Sequence, residues 1–208
     1  MICQIKTLHK MKNQYTKDYY NSLNYINYLD REEKYKKHAI ELDTLFNTLS
    51  LLNTQNTILD YGCAVGFLIE GFKSLGYKDI SGYDISKWAT NQCREKGINM
   101  LEDEEIRPFD LITALDVLEH MKDKDIKEAF TRFKSNILLV RIPCSVNGTN
   151  FHLEISRKDP THINCKTKRD WKEFLKTLGY NFFFPININT IYDSDGVMCY
   201  ICFKESII

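Results

Sequence analysis

The chain has 208 residues, 28 Lys plus Arg against 28 Asp plus Glu, and seven cysteines. That length suffices for one α/β domain with a full core, while zero net charge argues against a duplex nucleic-acid partner, whose phosphates call for a basic excess. No apolar run approaches the roughly 20 residues that cross a bilayer, and an odd set of unpatterned cysteines fits a reducing, cytoplasmic setting better than a disulfide framework.

In chain order, residues 1–16 read as a flexible leader without the apolar segment of a secretory signal, and Met11 is an alternative start. The remainder, 17–208, reads as a single domain. Residues 17–52 read helical with a break near Asp30. Ala39, Leu42, Leu45, Phe46, Leu49 and Leu52 fall on one face, so this segment is expected to form an N-terminal helical cover beside the ligand. Residues 57–61 form a first strand, 66–75 a helix stopped by Gly76, and 80–84 a second strand. A helix over 87–96, capped by Ser86 and ended by Gly97, comes next. A short strand at 98–101, an acidic loop at 102–105 and a buried strand at 109–115 follow. Asp123 is placed to cap a helix reaching about Phe133, and 136–142 is a fifth strand. A long polar loop over 143–166 is expected on the substrate side, before an amphipathic helix at 168–178. Strands at 180–188 and 197–204, joined by the Asp-Ser-Asp-Gly turn at 193–196, close the chain. This alternation predicts a doubly wound, mostly parallel α/β sheet with helices on both faces.

Residues 58–66, ILDYGCAVG, carry the most information. An apolar strand gives way to a glycine turn and a helix start, and ligands of open α/β sheets bind at the carboxyl ends of strands. Gly62 and Gly66 admit close backbone approach to a ligand. The second strand ends in Asp84, an acceptor-only carboxylate suited to two ribose hydroxyls. Together these imply a cofactor containing a nucleoside. A dinucleotide site wants G-x-G-x-x-G, and here Gly62, Ala64 and Phe67 stand at those positions, which disfavours a nicotinamide dinucleotide.

The pattern D-x-G-x-x-x-G from Asp60 instead resembles the first motif of class I S-adenosylmethionine-dependent methyltransferases. Gly82-Tyr83-Asp84-Ile85-Ser86 and the segment FDLITALDVLEH at 109–120 extend the resemblance, which points to the small stand-alone enzymes acting on metabolites or glycans. It implies a Rossmann-like seven-stranded sheet with one antiparallel strand near the C-terminus. It implies S-adenosylmethionine as cofactor, with S-adenosylhomocysteine as product. Gly62, Ala64 and Gly66 would meet the carboxypropyl arm and ribose, offering backbone N–H groups. Asp84 would hold the ribose and Ile85 would pack on the adenine. Asp60 and Asp116 would face the ammonium, and Asp103 would reach the adenine from the acidic loop. Plainer uses stand beside these: an ordinary turn for the glycines, a helix cap for Asp84, loop support for Asp60 and a solvated charge run for Asp103.

Methyl transfer is an in-line displacement from a good leaving group, so the protein mainly aligns the nucleophile and removes its proton. Histidine is the usual base near neutral pH. His120, just after the fourth strand, and His162, in the long loop, are the catalytic candidates. His152, Asp159 and Tyr20 are substrate candidates. Tyr15, Tyr19 and Tyr20 would form a lid, or merely pack the N-terminal helix. His152, Glu154, Asp159 and His162 carry metal-ligand chemistry without fixed spacing, and no metal is expected. Cys199 and Cys202 lie three apart on a strand, which sends them to opposite faces as core residues. Pro143-Cys144 lacks the second Pro-Cys pair of RNA cytosine methyltransferases, and the Pro-Pro-aromatic signature of nucleic-acid amino-methyltransferases is missing. The expected acceptor is therefore a hydroxyl of a sugar, glycan precursor or other metabolite. The alternatives are a non-catalytic protein on the same fold, or an RNA or protein methyltransferase.

Overall fold

Seven short runs rich in branched and aromatic residues pair into one sheet in the computed structural model, which describes residues 15–21 and 28–205. The strands are β1 (Ile58–Tyr61), β2 (Ile80–Tyr83), β3 (Asn99–Met100), β4 (Arg107–Leu115), β5 (Phe133–Pro143), β6 (Phe182–Pro185) and β7 (Val197–Phe203). Their order is β3-β2-β1-β4-β5-β7-β6. The first five are parallel, and β7 runs antiparallel to both β5 and β6. The strand order reverses between β1 and β4, and the crevice at that switch point is where doubly wound sheets bind ligands.

The helices are α1 (Lys17–Tyr20), α2 (Glu32–Thr48), α3 (Phe67–Ser74), α4 (Lys87–Glu95), α5 (Asp123–Arg132), α6 (Glu154–Lys158) and α7 (Lys168–Lys176). Strand alternation sorts the core into two layers. Leu59, Ile112, Leu138 and Val140 point to one face, where Ile126 and Phe130 of α5 and Trp171 and Leu175 of α7 cover them. Ile58, Ile80, Leu111 and Leu139 point to the other, against Leu42 and Phe46 of α2 and Ile69 and Phe72 of α3. Cys202 belongs to the first layer and Cys199 to the second, as the alternation requires.

Several boundaries differ from the sequence reading. The expected helix over 17–52 becomes the single turn α1, a 3-10 turn at Tyr28–Asp30, and α2; residues 22–27, like residues 1–14 of the 1–16 leader, lie outside the described residues. Leu49 is 52% exposed because α2 has ended at Thr48 and Ser50 takes a left-handed φ of 52°. Tyr15, assigned to the leader, is buried. Asp123 does not cap α5: Lys122 is the N-cap, and the Asp123 carboxylate instead accepts from Asn164 Nδ2 at 2.9 Å and Lys166 Nζ at 2.7 Å. β4 and β5 start earlier than expected, Arg107 pairing with Phe133 through a stretch that Pro108 disguises. The loop at 143–166 contains α6. β6 and β7 are trimmed, and the turn closes between Ser194 and Val197, which exchange backbone bonds of 3.0 and 3.1 Å.

Candidate active site

A cavity of about 280 Å³ opens beyond the carboxyl ends of β1, β2 and β4. Gly62, Ala64 and Gly66 form its loop, with φ of 77°, 48° and 81°. A Cβ at Gly62 would collide with both γ-methyls of Val117, and one at Gly66 with Ile98. Glycine is therefore demanded by left-handed backbone and by neighbouring side chains, whereas the sequence reading put the demand on ligand approach. Four amides of that loop are engaged within the chain. Gly62 and Cys63 donate to the Tyr83 carbonyl at 2.7 and 3.1 Å, Gly66 donates to Cys63 O at 2.9 Å, and Ala64 donates to Asp84 Oδ2 at 2.8 Å.

Asp84 thus ties the loop after β1 to the end of β2, and its Oδ1 accepts the Ser86 N–H at 2.8 Å. Burial raises its pKa to about 6. Ser86 is the N-cap of α4, accepting from Ala89 N at 3.1 Å and donating to the Tyr15 carbonyl at 2.5 Å. Asp60 is 5% exposed and accepts from Thr113 Oγ1 at 2.7 Å. Burial, with the nearby Asp84 charge, raises it to about 7. Among the described residues neither acid forms a salt bridge with Lys or Arg. Asp116, at a φ of 57°, is gripped by Arg141, whose Nε lies 3.0 Å from both carboxylate oxygens. Asp103 accepts the Tyr83 hydroxyl at 2.8 Å. Asp60, Asp84, Asp103, Asp116 and Ile85 all border the cavity, and Tyr15, Tyr19 and Tyr20 wall it on another side.

His120 is 9% exposed and also borders the cavity. Thr161 Oγ1 lies 2.8 Å from its Nδ1 and 2.5 Å from Asp159 Oδ1. The hydroxyl has one proton, which goes to the Asp159 carboxylate, so Thr161 accepts Nδ1–H and leaves a lone pair on His120 Nε2. Burial, then the neighbouring His162, lowers the His120 pKa to about 4. The His162 ring centre lies 4.6 Å from that of His120. His162, Asp159 and His152 stand off the cavity wall, and His152 is exposed, its carbonyl taken by Arg157 at 2.6 Å.

Three residues escaped the sequence reading. Arg141 could have been found as a lone cation inside the apolar strand ILLVRIP. Thr161 could have been found in Asp-Pro-Thr-His, and Glu119 as a buried acid beside His120 in DVLEHM. Glu119 is fully buried, and neither carboxylate oxygen accepts a hydrogen bond from another described residue.

Buried acids without a protein cation, around a cavity walled by aromatic rings, fit a ligand carrying positive charge and a flat base. S-adenosylmethionine, with its sulfonium, ammonium and adenine, has that chemistry. The strand order, the glycine loop after β1 and the acid after β2 define a class I S-adenosylmethionine-dependent methyltransferase. The chain belongs to the family described as the methyltransferase domain, which it matches over residues 33–182. Magnesium protoporphyrin IX methyltransferase of Synechocystis PCC 6803, with bound S-adenosylmethionine, is similar at 14% identity over 90% of this chain and 94% of that one, with a TM-score of 0.58. Its form with bound S-adenosylhomocysteine gives 15% identity over 90% and 97%, with a TM-score of 0.60. An S-adenosylmethionine-dependent methyltransferase of Archaeoglobus fulgidus gives 18% identity over 86% and 100%, with a TM-score of 0.57. No curated protein matches the sequence. No helix among the described residues is long and apolar enough to cross a membrane.

Proposed function

We propose that this enzyme methylates a hydroxyl oxygen of a small cytoplasmic acceptor: a sugar, a glycan precursor or another metabolite. The observation that carries this reading is His120 on the cavity wall, its Nε2 left as an acceptor by the Asp159–Thr161 relay. An acceptor hydroxyl donating to that nitrogen would be oriented toward the methyl donor. With a pKa near 4, the imidazole orients the hydroxyl better than it retains its proton at neutral pH. His162 stands behind His120, and Asp159 positions His120 through Thr161; His152, exposed, would reach only a longer acceptor.

On the cofactor side, Asp84 is proposed for the ribose hydroxyls, Ile85 and Asp103 for the adenine, and Gly62, Ala64 and Gly66 for the arm. Asp60 and Asp116 would face the ammonium. Tyr20, packed 5.2 Å from the Trp88 ring, would close over the acceptor with Tyr19. Zero net charge supports a small acceptor over nucleic acid. Free thiols at Cys63, Cys93, Cys144, Cys165, Cys199 and Cys202 support a reducing compartment.

The test is S-adenosylhomocysteine release across a panel of sugars, nucleotide sugars and hydroxylated metabolites. Turnover with a hydroxyl acceptor, lost in His120→Ala while S-adenosylhomocysteine affinity stays within about threefold, is the expected result. Turnover only with amine, thiol or RNA acceptors would replace this reading.

A further inference from the structure

We propose that Glu119, His120 and His162 bind a first-row divalent cation of the Zn²⁺ or Mn²⁺ type in the wall of the cofactor cavity. Glu119 and His120 sit in the 3-10 turn Leu118–His120 that follows β4. His162 is delivered by the loop beyond α6, which is pinned there by the N–H groups of Ile163 and Asn164, both donating to the Glu119 carbonyl at 2.9 Å. The candidate ligand atoms of the three residues all lie within 4.8 Å of one another.

Three observations point to a cation between them. Glu119 Oε1 is 3.8 Å from His120 Nε2 and 3.9 Å from His162 Nε2, beyond hydrogen-bond distance. The Asp159–Thr161 relay commits the His120 proton to Nδ1, so Nε2 turns a lone pair toward a carboxylate. Glu119 itself is fully buried and accepts no hydrogen bond from another described residue, an arrangement that costs heavily for a carboxylate when nothing positive compensates it. A metal ion resolves all three. With bonds near 2.1 Å, tetrahedral ligand atoms stand about 3.4 Å apart, so the two pairs that Glu119 makes with the histidines would each close by roughly 0.5 Å.

The donor set names the class of ion. Two imidazoles and one carboxylate suit zinc and its first-row neighbours and leave a coordination position open, whereas Mg²⁺ and Ca²⁺ prefer oxygen. The Thr161 and Asp159 contacts are the outer support that metal-bound imidazoles usually carry. Of the three ligands His120 borders the cavity, which places the ion beside the acceptor. With the ion in place His120 Nε2 is its ligand, and the acceptor's hydroxyl oxygen would bind the ion instead of donating to that nitrogen, which eases its proton loss; that use rests on the hydroxyl reading above, and the site does not.

The experiment strips the purified full chain with chelator, then titrates it calorimetrically with Zn²⁺, Mn²⁺ and Mg²⁺, and separately with S-adenosylhomocysteine. One equivalent of Zn²⁺ or Mn²⁺ should bind at micromolar or tighter Kd, and Mg²⁺ far more weakly. Affinity should fall about 100-fold or more in Glu119→Gln and in His162→Asn, with S-adenosylhomocysteine binding within about threefold of wild type as proof of fold. If Glu119→Gln does not fold, His162→Asn alone reads the same loss. Wild-type protein that binds S-adenosylhomocysteine but no ion, or variants that bind the ion as wild type does, overturns the site. Stoichiometric ion binding without turnover on any hydroxyl acceptor upholds the site and counts against the hydroxyl reading.

Discussion

Asp60 and Asp84 carry carboxyls whose pKa values, about 7 and about 6, rise on folding. Below the unfolded value near 4 both states are protonated; between there and about 7 the folded chain holds more protons. The ligand-free protein should therefore lose stability as pH rises through that window. A cationic ligand favours the ionised acids and works in the opposite direction. S-adenosylmethionine affinity should increase from pH 5.5 to pH 8, and Asp60→Asn should flatten that rise while lifting the melting temperature of the ligand-free protein at pH 8. A pH-independent affinity in wild type would sink the assignment of Asp60 to the ligand's cationic side. Asp84 has a second duty, holding the Ala64 and Ser86 amides at 2.8 Å. Hydrogen bonds to a charged group are each worth about 1.5–3 kcal/mol, so Asp84→Ala should weaken S-adenosylhomocysteine by about 10- to 100-fold in calorimetry. Binding as tight as wild type would remove Asp84 from the site. Both acids were legible as residues, since each ends an apolar run. Their partners were not, because Thr113 lies 53 positions from Asp60.

At the scale of elements, the loop between β1 and α3 is wedged against Val117, the residue after Asp116 at the end of β4. Gly62→Ala adds a left-handed penalty of about 1–2 kcal/mol to a clash of about 1–3 kcal/mol. Chemical denaturation should show a loss of about 2–5 kcal/mol. Adding Val117→Ala should restore the clash portion and leave the backbone portion, and a double variant as unstable as Gly62→Ala would mean that φ alone sets the cost. Local chemistry made the elements readable: Ser86 before a helix, glycine after one, alternation along β7. It misplaced α2 and β5, whose ends are decided by what they pack on. Phe133 leaves α5 and joins β5 without an intervening loop because its ring is buried against the sheet.

At the scale of the whole molecule, a ligand that binds only the folded state stabilises it by mass action. S-adenosylhomocysteine at 100 times its Kd should contribute about 2.7 kcal/mol. For a domain of this size that is roughly 5–11 °C in Tm, while NAD at the same concentration should produce no shift. An equal response to NAD would overturn the reading of the glycine loop, where Ala64 and Phe67 replace two glycines of a dinucleotide site.

Sequence alone determined the fold class and the cofactor class. These depend on local order: strand, glycine turn, helix, strand, acid, all within residues 58–84. The tertiary structure decided how those residues are used. It spent the loop's amides on Tyr83, Cys63 and Asp84, and it coupled His120 to Thr161 and Asp159 across some 40 positions. It also set Glu119 beside two histidines with no hydrogen bond to its carboxylate from another described residue. Such arrangements join distant segments through burial and hydrogen bonding, and no periodicity or motif spacing encodes them.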